Sequence, residues 1–362
     1  MAGPTTRARG YWAVDRATSL SEVWAIVAKH LGLVGAWRLM LVCRAARAGA
    51  KVFLATLPGL FVCGGRTGGT WPVSDVRRLD LATLRWEAMP SLLLARHDHA
   101  CCAVRGALVV LGGYTSGGEV RIPSVEKLSK GEGAFTALPP LSCGGILDAA
   151  AVTVDESGSV AGQVLLLEGR KDDDQGGTST VHLVDLATGV CTPWPNLLCA
   201  RESFAAARLP QGCVVCAGGL DINNYETLSS VEVLEPPAQG ATDTTWTQRE
   251  LPALSVERYG CCGCVLSNGR FAVLGGMNSN GLTLSSCEAM TVGDGEHWEH
   301  LPPMHDARSE FACAVVAGCI IVAGGRGLKS AEVFDEVLDQ WLRLPCDLPI
   351  DDQLFAIGSA LL

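Results

Sequence analysis

The chain has 362 residues, of which 48% are hydrophobic and only 18% charged, with 42 glycines and a formal charge of −10; charged residues usually make up about 25% of a soluble domain. Acidity of this degree argues against sequence-independent nucleic-acid binding, which needs a basic surface to displace counterions. The longest uncharged run, residues 311–325, is divided by Gly318 and falls short of the ~18 residues of a membrane span.

The opening, MAGPTTRARGYW, has no apolar core of a signal peptide, and residues 1–17 are expected to be disordered. Residues 18–50 then take on helical character. Leu20, Val23, Trp24, Val27 and Leu31 recur at helical spacing, and Ser19 with Glu22 makes a capping-box pattern. A second apolar segment runs from residue 34 to about 48, with Gly49 as the expected stop. Helices this short need a partner for their apolar stripe, either the rest of the chain or another protein.

The run LSEVWAIVAKHLGLVGAWRLMLVCRAAR resembles an F-box through Leu20, Val23, Val27, Leu31, Leu39, Val42, Cys43 and Arg44. Ser21 stands where that family usually has proline, and Ala46 where an aromatic is common. The resemblance implies docking on the Skp adaptor of a cullin-RING ubiquitin ligase, with Leu20, Val23, Val27 and Leu31 as the contact stripe. Nothing in composition or spacing indicates ubiquitin transfer. The plainer reading is a helical hairpin that covers one face of the domain that follows.

From residue 58 onward a repeat organises the chain. An apolar run ending in Gly-Gly recurs at Gly64–Gly65, Gly112–Gly113, Gly218–Gly219, Gly275–Gly276 and Gly324–Gly325. A worn copy, LLLEGR, has Glu168 and Gly169 in that place. From first residue to first residue the intervals are 48, 56, 50, 57 and 49, the period of a propeller blade and longer than helical repeats. Each copy continues with an alternating strand (DVRRLDL, SVEKLS, VHLVDL, SVEVLE, SCEAMT, SAEVFD), then an aromatic at Trp86, Phe135, Trp246, Trp298 or Trp341. The third copy has Cys191 there, with Trp194 nearby as a substitute. A Leu/Met-Pro exit and an apolar strand complete the unit.

Continuous apolar strands suit burial on both faces near an axis. Paired glycines permit backbone angles and approaches that a side chain forbids. The aromatic supplies a large plate between neighbouring sheets. One blade cannot bury its own faces, so the copies must close a ring. Residues 60–63 lack an inner partner, while the last residues, FAIGSALL, read as an inner strand with nothing after them. Pairing the two gives six blades over residues 58–362 with no exposed edge. Residues 51–57 are the competing candidate for that strand.

The Gly pairs, the Trp and the Arg before each inner strand are similar to the kelch family. The fold expected is therefore an all-β, six-bladed kelch β-propeller with a short N-terminal helical segment. The Tyr usual before the Trp is absent in most copies.

Sixteen cysteines lie in apolar strand-like runs such as GCVVCAGG and YGCCGCVL, where they act as small hydrophobic fillers. That usage points to a reducing compartment, cytoplasm or nucleus. Cys213 and Cys216 form a C-x-x-C, but positions i and i+3 of a strand face opposite sides. Cys261, Cys262 and Cys264 also read as filler. His97 and His99 are candidate metal ligands on one strand face, with a loop entering the inner strand as the plainer reading. Asp172, Asp173 and Asp174 read as a solvated loop. Kelch relatives with copper or iron chemistry need ligand sets that are not found here, and no nucleophile turn or phosphate loop appears. No enzyme, metal or cofactor is expected.

The functional signal is arginine in two loop families expected at one rim. The loop after each Gly pair holds Arg66, Tyr114, Arg170, Asn223, Asn278 and Arg326, and the loop before each inner strand holds Arg96, Arg201, Arg258 and Arg308. Such a ring suits carboxylate or phosphate recognition. In the second family adjacent acids, Glu202, Glu257, Asp306 and Glu310, favour local ion pairs that serve the fold. The function expected is a substrate adaptor of a ubiquitin ligase, whose propeller binds an acidic or phosphorylated protein segment, with no nucleic-acid or membrane partner. The alternative is a kelch interaction scaffold without a ligase link.

Overall fold

A computed structural model describes residues 20–68, 71–115, 120–154, 162–170, 176–237, 245–293, 295–350 and 354–362. The expected disordered lead, the Ser19 cap and the Asp172–Asp174 cluster lie outside the described residues.

Six four-stranded antiparallel sheets form the blades of a propeller. Blade 1 has its strands in the order Gly358–Leu361, Leu60–Cys63, Val76–Asp80, Arg85–Ala88. The inner strand thus comes from the C-terminus, with Leu60 opposite Leu361 and Cys63 opposite Gly358. The inner strands of blades 2 to 6 are Ala100–Val104, Ala150–Thr153, Ala205–Arg208, Cys262–Val265 and Ala312–Val316. Together with Gly358–Leu361 they neighbour one another around a closed ring. The second strands, such as Val214–Ala217 and Cys319–Ala323, are buried along their whole length.

The glycine pairs hold left-handed backbone throughout. First members have φ between 57° and 68°, second members between 95° and 107°. A Cβ on Gly218 would meet the Arg258 carbonyl of the next blade at 2.5 Å, and one on Gly275 the Arg308 carbonyl at 2.5 Å. Blade contact at these two positions leaves no room for a side chain.

The recurring Trp and the recurring Pro exit turn out to be one device. Trp298 of blade 5 donates its indole N–H to the carbonyl of Pro252, the exit of blade 4, at 2.7 Å. Trp341 of blade 6 donates to Pro302 of blade 5 at 2.8 Å. In these two blades the plate is thereby fixed to the sheet before it, and its polar atom is satisfied.

Two helices precede the blades: α1, Ser21–Leu39, and α2, Arg44–Leu54. α1 is interrupted at Gly32, whose φ of 70° and ψ of −168° are not helical. The expected stop at Gly49 is not there. Gly49 lies inside α2, where a Cβ would strike the Ser21 carbonyl and Trp24; it lets the helices touch and ends neither. The competing strand assignment for residues 51–57 fails for the same reason, since α2 runs through Leu54. Leu33, Val34, Leu39 and Leu54 join one apolar core with Leu60, Val62 and Leu79 of blade 1 and Ala314, Val316 and Ile321 of blade 6. Trp37 adds a hydrogen bond to the Leu81 carbonyl, 2.8 Å. No helix among the described residues is long and apolar enough to cross a membrane.

Candidate functional site

The expected rim arginines separate into two environments. Arg96, Arg201, Arg258 and Arg308 are not at the rim: they are 0–1% exposed, among the largest fully buried side chains of the chain. Each points back into its own blade. Arg258 donates to the carbonyls of Gly275 (2.9 Å) and Ser286 (3.1 Å), to the Ser286 hydroxyl (3.2 Å) and to Glu288 (2.9 Å). Arg201 with Glu232, Arg308 with Glu332 and Arg96 with Glu126 repeat the arrangement. The carboxylates are satisfied in turn by loop amides, such as those of Leu94 on Glu126 and Ser255 on Glu288. The partners are thus third-strand glutamates, not the sequence-adjacent acids, although Asp306 also lies 3.4 Å from Arg308. These four serve the fold. Burial pushes Glu332 up, but hydrogen bonds from Arg308, His305 and the Asp306 amide prevail and hold it below the usual carboxylate range.

The first family is also unequal. Isolated backbone bridges join Arg66 to Phe355, Tyr114 to His97 and Arg170 to Leu147, at the mouth of the central channel. Asn223 and Asn278 are not directed to a ligand. The Asn223 amide bonds both backbone groups of Gly177 in the neighbouring blade, at 3.1 and 3.3 Å. The Asn278 side chain accepts from the Asn280 and Leu282 amides of its own turn. Arg326 is bound to Glu310 at 2.8 Å, and the Arg170 guanidinium is 3.8 Å from Glu202. Arg66 and Arg326 both lie over the Phe355 ring, 4.7 and 5.1 Å from its centroid.

Beneath this edge lies a ring that the sequence reading missed. Asp98, Asp148, Ser203, Gly260, Glu310 and Ala356 occupy the same place in successive blades, each with φ between 51° and 60°. Backbone hydrogen bonds link neighbours, for example Asp148 to Asp98 (3.0 Å) and Glu310 to Gly260 (2.8 Å), and the Ser203 hydroxyl reaches Asp148 at 2.9 Å. They line a cavity of about 150 Å³. Burial, then Asp98, Glu202 and Glu310, push the Asp148 carboxyl well above its ordinary range. Burial raises Glu202 and Glu310 too, against Arg170 and Arg326 respectively. The mouth thus offers guanidinium groups outward and carboxylates inward. The recoverable signal was the acid that recurs two places after the arginine column, at Asp98 and Glu310.

His97 and His99 do not form a metal pair. His97 meets Asp98 at 2.6 Å and stacks on Tyr114, while His99 turns inward to Cys63 at 3.8 Å. Burial, then the charges of Arg96 and His97, hold His99 down to about 3, so it is a neutral core imidazole at physiological pH. All sixteen cysteines are free thiols.

The helical stripe divides as well. Leu20 and Leu31 are exposed, whereas Val23 and Val27 are half-buried and Val27 packs on the shared core. Ile26, Leu41 and Val42 are further exposed apolar residues of the helical segment, Leu41 at 83%.

A family model described as Kelch motif matches residues 95–142 and 307–346, two stretches that each contain a buried arginine and its glutamate. The solved "Structure of YjhT" superposes with a TM-score of 0.62 at 12% identity, over 80% of this chain and 98% of that one. The chain is therefore a six-bladed β-propeller that carries kelch motifs. Similar curated proteins are F-box/kelch-repeat proteins of Arabidopsis thaliana. At1g16250 is 43% identical over 56 residues, At2g44130 34% over 110 and SKIP20 32% over 118. These matches cover 14%, 28% and 29% of this chain and only 15%, 27% and 28% of the relatives' length.

Proposed function

We propose that this protein is a non-catalytic substrate-recognition adaptor of a cullin-RING ubiquitin ligase. Its helices dock on a Skp-type adaptor and its channel mouth holds a protein substrate. The observation that carries the reading is the two-sided helical pair. One side is fixed to blades 1 and 6 through Leu33, Val34 and Leu39, while Leu20, Ile26, Leu31, Leu41 and Val42 stay exposed. Anchored apolar groups of this kind suit helix-face recognition, and the names of the relatives agree with it. The substrate segment brings acidic or phosphorylated side chains to the guanidinium edge, where Arg66 is the best contact because Arg170 and Arg326 already face Glu202 and Glu310. The free thiols suit cytoplasm or nucleus.

A second reading is favoured by the burial of α1 on blades 1 and 6: the helices only cover an apolar seam, and the protein is an interaction scaffold without a ligase link. Affinity capture from a eukaryotic extract with the full chain separates the two. Co-purification of a Skp adaptor together with a cullin supports the first reading. Capture of other proteins with neither leaves the scaffold.

A further inference from the structure

Blade 3 departs from the repeat at five positions. In the other blades with a buried arginine, one seat holds the arginine, the third-strand glutamate, the first glycine of the pair and a loop whose amides bind the carboxylate. Blade 3 has Ile146 in the arginine position, as shown by the Gly113 amide, which bonds its carbonyl as Gly219 bonds that of Arg258. His182 replaces the glutamate, Glu168 the first glycine, and Cys143 occupies the loop. Cys191 stands opposite Val184 where Trp86 stands opposite Leu79, so it takes the place of the aromatic.

These replacements converge. A thiol sulfur of Cys143, a carboxylate oxygen of Glu168 and a ring nitrogen of His182 all lie within 4.8 Å of one another. The Cys191 thiol neighbours that of Cys143 and stands outside the group of three. Glu168 and His182 approach to 2.8 Å with side chains only 4% and 13% exposed, yet His182 Nδ1 has no aligned hydrogen-bond partner. Side chains that meet at 2.8 Å need to part by only about half an ångström to reach the ~3.3 Å at which two ligands with ~2.0 Å bonds share a tetrahedral cation. A buried carboxylate also needs a positive partner, and the arginine that supplies it elsewhere is Ile146 here.

We propose that blade 3 contains a structural zinc site formed by Cys143, His182 and Glu168, with the neighbouring Cys191 turning inward on binding to become the fourth ligand. The sulfur, nitrogen and oxygen donors suit zinc in tetrahedral coordination, and binding would release the protons of both thiols. The metal would take over the role that the Arg–Glu pair plays in blades 2, 4, 5 and 6. The other thiol–imidazole cluster, Cys63, His99 and Cys101, offers three donors and serves as the control.

The full chain, purified under reducing conditions without chelator, is assayed for zinc and then reloaded with cobalt(II). About one tightly held zinc per chain is expected, with a thiolate-to-cobalt absorption band. Cys143→Ser and His182→Gln should each remove the metal and the band, while Cys63→Ser keeps both. Metal-free wild-type protein overturns the proposal, whatever the variants do. So does zinc retained unchanged in His182→Gln, or a Cys143–Cys191 disulfide in the freshly reduced protein found by peptide mapping. If Cys143→Ser does not fold, His182→Gln and the wild-type stoichiometry decide.

Discussion

The blade interiors and the channel mouth employ the same two residue types, arginine and carboxylate, to opposite ends. Inside blades 2, 4, 5 and 6 each glutamate meets a guanidinium and one or more loop amides, with at most 2% exposure on either side. At the mouth, Asp98, Asp148, Glu202 and Glu310 crowd one another while Arg66, Arg170 and Arg326 stand outside them. Glu332 is accordingly held below its ordinary range and Asp148 above it. Full mutual satisfaction makes a fastening; unequal satisfaction leaves groups that a ligand can complete.

The largest effect expected from this contrast is in a blade. Arg258→Ala strands Glu288 in the interior and should cost about 3–5 kcal/mol of stability. Arg258→Lys should recover little, because one ammonium cannot replace a planar fork that serves three carbonyls, a hydroxyl and a carboxylate. Denaturant unfolding checks both, and unchanged stability would remove the distinction between the two arginine sets. Next is Arg66→Ala, which should leave the unfolding midpoint nearly unchanged and weaken the captured substrate by about 1–3 kcal/mol. A folded variant that binds normally would move the recognition site away from the mouth.

The smallest effect concerns pH. The Asp148 pKa is raised on folding, so its contribution favours the folded state most fully below the unfolded value near ~4. That contribution is lost as pH rises toward the folded value. Asp148→Asn should therefore raise the melting temperature more at pH 8 than at pH 4. An equal shift at both would mean that the carboxyl is not strained by its acidic neighbours.

Fold and site were legible to different depths. The glycine period, the doubly buried strands and the aromatic column each report a constraint repeated in five or six blades, so they stand out in one dimension. The arginine partners did not, since the glutamates lie 24 to 31 residues away while misleading acids lie adjacent. Arg326 has no acid close by in sequence, and its partner Glu310 is 16 residues away. Gly49 was misread as a helix stop because spacing cannot distinguish a terminal glycine from one that admits a crossing helix. The stripe Leu20, Val23, Val27 and Leu31 was readable as helical, but its division between propeller and solvent depends on blades 1 and 6.

The central claim is that the exposed side of the helical pair binds a Skp-type adaptor. The most direct measurement is the affinity of the purified full chain for purified Skp adaptor, compared with that of a Leu20→Asp, Leu31→Asp double variant. Both positions are exposed, so the propeller should melt unchanged. Saturable binding by the wild type is expected, with at least a tenfold loss in the variant, the ~1.4 kcal/mol that corresponds to it being modest for two apolar anchors. Absence of binding by the wild type, or equal binding by a folded variant, would contradict it.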